Sequence, residues 1–389
     1  MYVYVLAHVL TGLGFRVFIA GNLKEKINDS SYLDRISQNE DIVLIDTSIH
    51  PENGLGIKNE EFVALQVKYQ IDLTVFAEAD HHISLFNGQI NNTRKKLKGR
   101  IIGIFLRPFH FYSKLSLIDK LRYAKNLPSN WNTDVRLFHE YLLKRFKLLD
   151  SALYIDEDFV SHHPYAHWLP DVFQQYAEEA LGNEGDDQRC WIGKLNDFTQ
   201  RSKGRFVFLY FGTSQSRRGY DLLLKMAVDQ DACFIHCGLV DSKEKYDIDV
   251  DRLKGELKSR ERLFETNQYI SDPLCIESFF RSASHLVLPY RNFYGSSGVM
   301  LQALGYGIPV LTPENGIMGY RVKKYKLGCT YKDEVSLGEQ FEKFKRCPAE
   351  SFKNSIAQYM IYQTSQELKR RLSDVFKNPG PATKYQIIP

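Results

Sequence analysis

The chain has 389 residues, and several things it lacks narrow what it can be. No stretch reaches the roughly 18 consecutive apolar residues that span a bilayer. The nearest, MYVYVLAHVLTGLGFRVFIAG at residues 1–21, is interrupted by His8, Gly12, Gly14 and Arg16. It also lacks the basic flank and small-residue cleavage site of a secretory signal. Its periodicity predicts a helix over Tyr2–Leu13, a glycine stop, and a strand over Phe15–Ala20. Charge of one sign is scarce: a net charge of +4 and a pI near 8.5 are too mild to imply a nucleic-acid partner. Patterned cysteine is absent. Cys190, Cys233, Cys237, Cys275, Cys329 and Cys347 show no zinc-type pairing. ACFIHCGLV, around Cys233 and Cys237, reads as a buried strand with reduced thiols, which fits a cytoplasmic location. HHPYAHW (162–168) carries histidines without the carboxylates or thiols that would complete a metal site. There is no short-period repeat, and no carboxylate pair such as Asp-X-Asp sits in a convincing strand-end loop; Asp46 and Asp80 end strands singly.

What remains is an ordinary globular composition, 43% hydrophobic and 25% charged, in a chain too long for one core. The first half alternates apolar runs (RVFIA, DIVLIDT, DLTVFAEA, RIIGIFL, SALYID) with helical stretches such as VRLFHEYLLKRFKLL. That alternation predicts a parallel sheet covered by helices. Between about 162 and 203, proline, glycine and charge predict a linker containing one helical piece, DVFQQYAEEAL. A second alternating unit follows, with strands RFVFLYFG, ACFIHCG, HLVLPY and IPVLTP and a candidate in TNQYIS. Residues 348–377 read as helical and 378–389 as a loose tail. The expected architecture is α/β: two Rossmann-like, doubly wound domains facing a cleft. Their bounds are 1–170, a linker over 171–203, a second domain over 204–350, and terminal helices over 351–377.

Three strand ends in the second half carry loops suited to an anion. YGSSGVMLQALGYGIPV (294–310) puts Ser296, Ser297 and Gly298 at the mouth of a helix. The first helical turn has free N–H groups and a positive dipole end, so an anion binds there without a charged side chain. FGTSQSRRGYDLLLK (211–225) repeats the arrangement: strand, then Gly212-Thr213, then Arg217, Arg218 and Gly219 opening a helix. An arginine there is suited to a bidentate phosphate contact. TPENGIMGYRV (312–322) supplies a third glycine loop, with Gly316 and Gly319.

Taken together, Gly212…Arg218-Gly219, FFRSASHLVLPY, SSGVMLQALGYGIPVL and GIMGYRVKKYKLG resemble the nucleotide-sugar domain of the GT-B glycosyltransferases, most closely the retaining family 4. HVLTGLGFRVFIAG is similar, more loosely, to that family's first helix and second strand. The resemblance implies that Arg218 holds the donor diphosphate and that Ser296, Ser297 and Gly298 bind the pyrophosphate. It implies that Gln302 and Tyr294 stand where the family has glutamates for the ribose and the sugar. Glutamine still hydrogen-bonds a hydroxyl; tyrosine does not copy a carboxylate. Thr213 replaces an arginine, whose charge Arg217 or Arg291 is a candidate to restore. The family's first strand and glycine-rich turn have no counterpart, which points either to a start upstream or to a sheet lacking an edge.

The implied activity is transfer of a hexose-type sugar from a UDP- or GDP-linked donor to a glycan or lipid-linked glycan, with retention and no obligatory metal. Helix amides and the Arg218 guanidinium would stabilise charge on the departing phosphate. The first domain would hold the acceptor, with His81 or His82 in FAEADHHISLF as the histidine near the transferred sugar; a surface turn is the other reading of these two. Residues 94–147 carry fourteen Lys and Arg against three Asp and Glu, interleaved with aromatics. They predict a peripheral contact with anionic lipid at the inner face of a membrane, or else a solvated helical face. The alternatives to an active transferase are a non-catalytic nucleotide-sugar-binding protein and a sugar-nucleotide epimerase of the same fold.

Overall fold

The computed structural model describes residues 2–21, 38–46, 59–77, 96, 98–106, 149–162, 166–172 and 186–377. Contacts divide the chain into two compact units, Met1–Val172 with Gln363–Pro389, and Phe173–Tyr362. Among the described residues no helix is long and apolar enough to cross a membrane.

The first unit contains helix α1 (Tyr2–Thr11) and parallel strands β1 (Val17–Gly21) and β2 (Ile42–Asp46). Helix α2 (Asn59–Tyr69) precedes a four-stranded parallel sheet in the order β3 (Leu73–Phe76), β4 (Arg100–Phe105), β5 (Ser151–Tyr154) and β6 (Ala166–Trp168), with α3 (Glu157–His162) between the last two. The apolar runs of the sequence become the buried strands: Ile101, Ile102 and Ile104 of β4 are fully inaccessible. Strand β6 falls in HHPYAHW, where three described residues are extended, too few to show an alternation. VRLFHEYLLKRFKLL lies outside the described residues but for its final Leu149, as does most of DVFQQYAEEAL.

The chain's last described helix, α12 (Ser365–Lys377), belongs to this first unit. Leu368, Leu372 and Val375 share a core with Leu6 and Leu10 of α1 and Ile102 of β4. The Arg100 guanidinium donates to the carbonyls of Phe376 (2.7 Å) and Val375 (3.0 Å), satisfying C-terminal groups that lack a helical partner. Arg100 is therefore a helix-capping residue rather than part of a free basic face. Lys96 and Lys98 are exposed, and the rest of the basic stretch 94–147 lies outside the described residues except for 99–106.

The second unit opens with α4 (Asp186–Arg201), a helix inside the stretch expected as a linker. Its acidic start, Asp186-Asp187, gave no apolar period. It is anchored by Gln188, whose carbonyl oxygen Oε1 accepts from the backbone of Ser271 and Asp272 at 3.0 and 2.9 Å. Strands and helices then alternate: β7 (Val207–Phe211), α5 (Tyr220–Asp229), β8 (Cys233–Cys237), α6 (Val250–Ser259), β9 (Leu263–Glu265), α7 (Pro273–Arg281), β10 (His285–Val287), α8 (Gly298–Gly305), β11 (Val310–Pro313), α9 (Gly316–Tyr325), β12 (Gly328–Tyr331), α10 (Glu334–Arg346) and α11 (Lys353–Met360). The candidate strand TNQYIS is not extended; Asn267 has φ 48°, and the strand lies just before it, at β9.

All six strands are parallel, in the order β12-β11-β10-β7-β8-β9. Read from β7, the sheet first grows one way through β8 and β9, then restarts at β10 on the other side. This is the doubly wound order, and the reversal lies between β7 and β10. Phe208, Phe234, Leu223, Leu257, Phe341 and Phe344 form its core on one face. Each such side chain contributes about 1.5–3 kcal/mol by leaving water. The six cysteines are free thiols, and Cys233 and Cys237 are buried.

His285 of β10 sits in this core, 3% exposed, with Nε2 3.1 Å from the Cys347 carbonyl. Burial pushes its imidazole down to about 4, against the smaller opposing pull of that carbonyl. The unfolded chain, with a histidine near 6.5, binds the proton first, so the stability that neutral His285 contributes is complete above about pH 6.5 and is lost as pH falls toward 4. Urea unfolding at pH 7 and pH 4.5 should show this loss, up to about 3 kcal/mol, and His285→Gln should lack that part of the pH dependence.

Candidate functional site

The reversal between β7 and β10 is where loops at the carboxyl ends of an open α/β sheet diverge and leave a crevice. Two of the three predicted anion loops lie there, those that follow β7 and β10. After β7 the chain turns at Gly212, with φ 122°, and its N–H donates to the Cys237 carbonyl at 2.8 Å. The Thr213 carbonyl accepts from the Tyr210 phenol at 2.7 Å. Ser214 is buried and ties the loop to the end of β8, its N–H donating to Leu239 O and its hydroxyl accepting from Asp241 N at 2.8 Å. A single 3-10 turn, Ser216–Arg218, then leads through left-handed Gly219 into α5.

Two contacts fix that turn against the β10 loop. A Cβ at Gly219 would collide with the Pro289 carbonyl, so glycine serves both the positive φ of 69° and a close backbone approach. Arg291, beyond β10, then clamps the turn. Its N–H donates to Arg217 O at 2.9 Å and its Nη1 to Ser216 O at 2.7 Å. The same guanidinium holds buried Asp221 with two bonds, 2.8 and 2.9 Å, and Glu334 through Nε at 2.6 Å. Arg291 is thus committed to the fold and does not stand in for the arginine that Thr213 replaces. Arg217 is exposed.

Arg218 differs. A Cβ at Gly212 would strike its guanidinium, so the side chain lies over the loop's glycine. Among the described residues it has no carboxylate partner.

At the β10 end, Ser297 is the N-cap of α8: its hydroxyl accepts from Met300 N at 3.3 Å and its carbonyl from Leu301 N at 3.1 Å. This leaves the N–H groups of Gly298 and Val299 without an intrahelical acceptor. The Ser296 hydroxyl accepts from Nη1 of Arg321 at 3.0 Å. Ser296 and Ser297 are thus held in place at the helix mouth by the hydrogen bonds their hydroxyls accept. Gly298 is exposed, and a Cβ there would meet nothing within 4 Å. Neither backbone strain nor internal packing asks for glycine at that position. Gln302, one turn in, is buried.

Gly316 belongs to the fold. With φ 82°, it brings the β11 loop onto the backbone of Tyr294, where a Cβ would fall 2.5 Å from Tyr294 Cα, and Ile317 N donates to Tyr294 O at 2.9 Å. The stretch expected as a loop over 312–322 is helical from Gly316 onward. Arg321, buried on α9, is a residue that sequence reasoning missed; its only signal was a charge among apolar neighbours in GIMGYRV. His81 and His82 lie outside the described residues.

The Arg291 clamp makes a prediction. Arg291→Ala leaves the Asp221 carboxylate, only 5% exposed, without its cation. Urea unfolding should show a loss of about 3–5 kcal/mol, with part recovered when Asp221→Asn removes the orphaned charge.

No protein-family model matches the chain, and no curated protein sequence matches it significantly. Solved structures do. Anabaena HepE, determined in complex with UDP-glucose, superposes with a TM-score of 0.61 at 12% identity, over 96% of this chain and 95% of that one. A glycosyltransferase from Rickettsia africae gives 0.57 at 12% identity, over 97% and 93%. Sucrose-phosphate synthase from Thermosynechococcus elongatus gives 0.54 at 13%, over 82% and 76%. At these identities the likeness is one of fold, and the fold is that of the GT-B glycosyltransferases, built on two Rossmann-like α/β units.

Proposed function

We propose that the protein is a glycosyltransferase that binds a nucleoside-diphosphate sugar at the reversal between β7 and β10. One observation carries this reading. Of the residues gathered there, Gly219, Ser296, Ser297 and Gly316 are accounted for by the chain's own contacts, but Arg218 and Gly298 are not. An unpaired guanidinium over one loop and an open, Cβ-free helix mouth on the other suit a diphosphate, which takes up both a cation and free amides. The complexes of HepE with UDP and UDP-glucose support the same class of donor.

In the reaction we propose, negative charge grows on the phosphate oxygen that leaves the sugar. The Arg218 guanidinium and the amides of Gly298 and Val299 stabilise it, so no obligatory metal is invoked. Transfer is of a hexose-type sugar, with retention, to a glycan or lipid-linked glycan of a surface polysaccharide. The first unit holds the acceptor, with His81 or His82 near the transferred sugar. Residues 94–147 dock the enzyme peripherally on the cytoplasmic face of an anionic membrane. Gln302 reaches the ribose.

A second reading, a nucleotide-sugar-binding protein without turnover, is favoured by Tyr294 and Gln302 in the positions where the resemblance leads one to expect glutamates. Turnover separates the two. Transfer or donor hydrolysis by the purified protein supports the enzyme, and tight binding without either supports the second reading.

A panel of UDP- and GDP-sugars should raise the melting temperature. Arg218→Ala should lower kcat/KM by about 10²-fold or more with the melting temperature unchanged; near-normal turnover removes Arg218 from the reaction. Gly298→Leu should abolish the ligand-induced stabilisation while leaving the free protein as stable or more so, since its side chain enters open space in a helix that disfavours glycine. Undiminished binding by that variant places the diphosphate elsewhere.

A further inference from the structure

Beneath the Gly212 loop lies a buried polar group that the proposed reaction does not use. His236 of β8 is fully inaccessible, facing the rings of Tyr210 and Tyr220 at 5.3 and 4.9 Å. Its Nε2 is 3.0 Å from the Gly212 carbonyl, and its Nδ1 is 3.2 Å from Oε1 of Glu265 on β9. Glu265 also accepts from the Tyr220 phenol at 2.9 Å and pairs with Lys254 at 2.9 Å, with Lys258 at 3.7 Å. Burial alone would raise its carboxyl, but the hydrogen bonds from His236 and Lys254 outweigh that and pull it down to about 2.

These partners restrict the imidazole. A carbonyl and an ionised carboxylate both accept and neither donates. A neutral ring has one N–H and one lone pair, so it would aim the lone pair at one of them. Only the ring with two N–H groups satisfies both.

The orientation of Gly212 matters for the loop above. In a planar trans peptide the carbonyl and the following N–H point opposite ways. With the Gly212 carbonyl turned in toward His236, the Thr213 N–H turns out, on the side away from the core. Among the described residues that N–H donates to nothing. Gly238, with φ 149°, clears the space the carbonyl needs, since a Cβ there would collide with it.

We propose that His236 is a positioning residue that ties the Gly212 carbonyl to Glu265 and so aims the Thr213 N–H at the ligand's diphosphate. The inference rests on the nucleotide-sugar reading above. A neutral or apolar residue at 236 leaves the peptide free to rotate, and the loop then loses an oriented donor.

The test has two parts. Nitrogen-15 spectra of the imidazole in the wild-type protein, without ligand, should show both nitrogens of His236 hydrogen-bonded; a ring nitrogen free of any hydrogen bond overturns the proposal. Calorimetric titration with UDP and GDP, and with UMP and GMP, then compares the wild type with His236→Phe and His236→Gln. His236→Phe should weaken the preferred diphosphate about tenfold or more while changing the matching monophosphate much less, and His236→Gln, which keeps one donor, should fall between. Equal diphosphate affinity in a folded His236→Phe overturns the positioning role. Wild-type protein that binds neither UDP nor GDP overturns the nucleotide-sugar reading itself, and the positioning role with it, whatever the imidazole spectrum shows. If His236→Phe does not fold, the spectrum and His236→Gln decide.

Discussion

The second unit depends on one constraint: a parallel sheet wound both ways from a single strand must leave a gap where its direction reverses. β7 and β10 are hydrogen-bonded neighbours, yet the chain makes two further strands, β8 and β9, before it returns to join them. Their loops diverge to opposite faces, and backbone N–H groups collect at the gap. The chemistry proposed here follows from that geometry more than from any single reactive residue.

Rigidity around the gap comes from charge held in unlike ways. Arg291 is consumed by Asp221, Glu334 and the Ser216 carbonyl, and this fixes the turn that presents Arg218. Arg321 supports Ser296 from behind. His236 braces Gly212 from below. Two guanidiniums and one buried imidazole thus support the loops, while a third guanidinium, Arg218, lies over them without a partner among the described residues. Preorganisation of this kind matters because donors already in place need not rearrange as charge develops on a departing phosphate.

Much of the second unit was legible in the sequence because its strands are buried on both faces and read as continuous apolar runs; VFLYF and CFIHC are plain examples. The mouth of α8 was legible because Ser-Ser-Gly before an apolar helix is a capping signal. The division of labour inside it was not. Which serine Arg321 holds, which arginine is spent on a carboxylate, and which glycine accommodates a neighbour's backbone are settled by residues 22 to 75 positions apart in sequence. His236 was hidden because a histidine within a strand run reads as one more core residue. β6 and α4 were hidden because three extended residues and an acidic first turn carry no period. The acceptor-side histidines fall outside the described residues, so the first unit's part in the reaction rests on resemblance alone.

The central claim is that a nucleotide's diphosphate sits between the Gly212 loop and the first turn of α8. Backbone amide spectra of the deuterated protein, recorded as UDP or GDP is added, test it most directly. The account predicts that the Thr213, Gly298 and Val299 amides shift together, saturably and at one affinity. Saturable binding that leaves these three amides unmoved while others shift would contradict it.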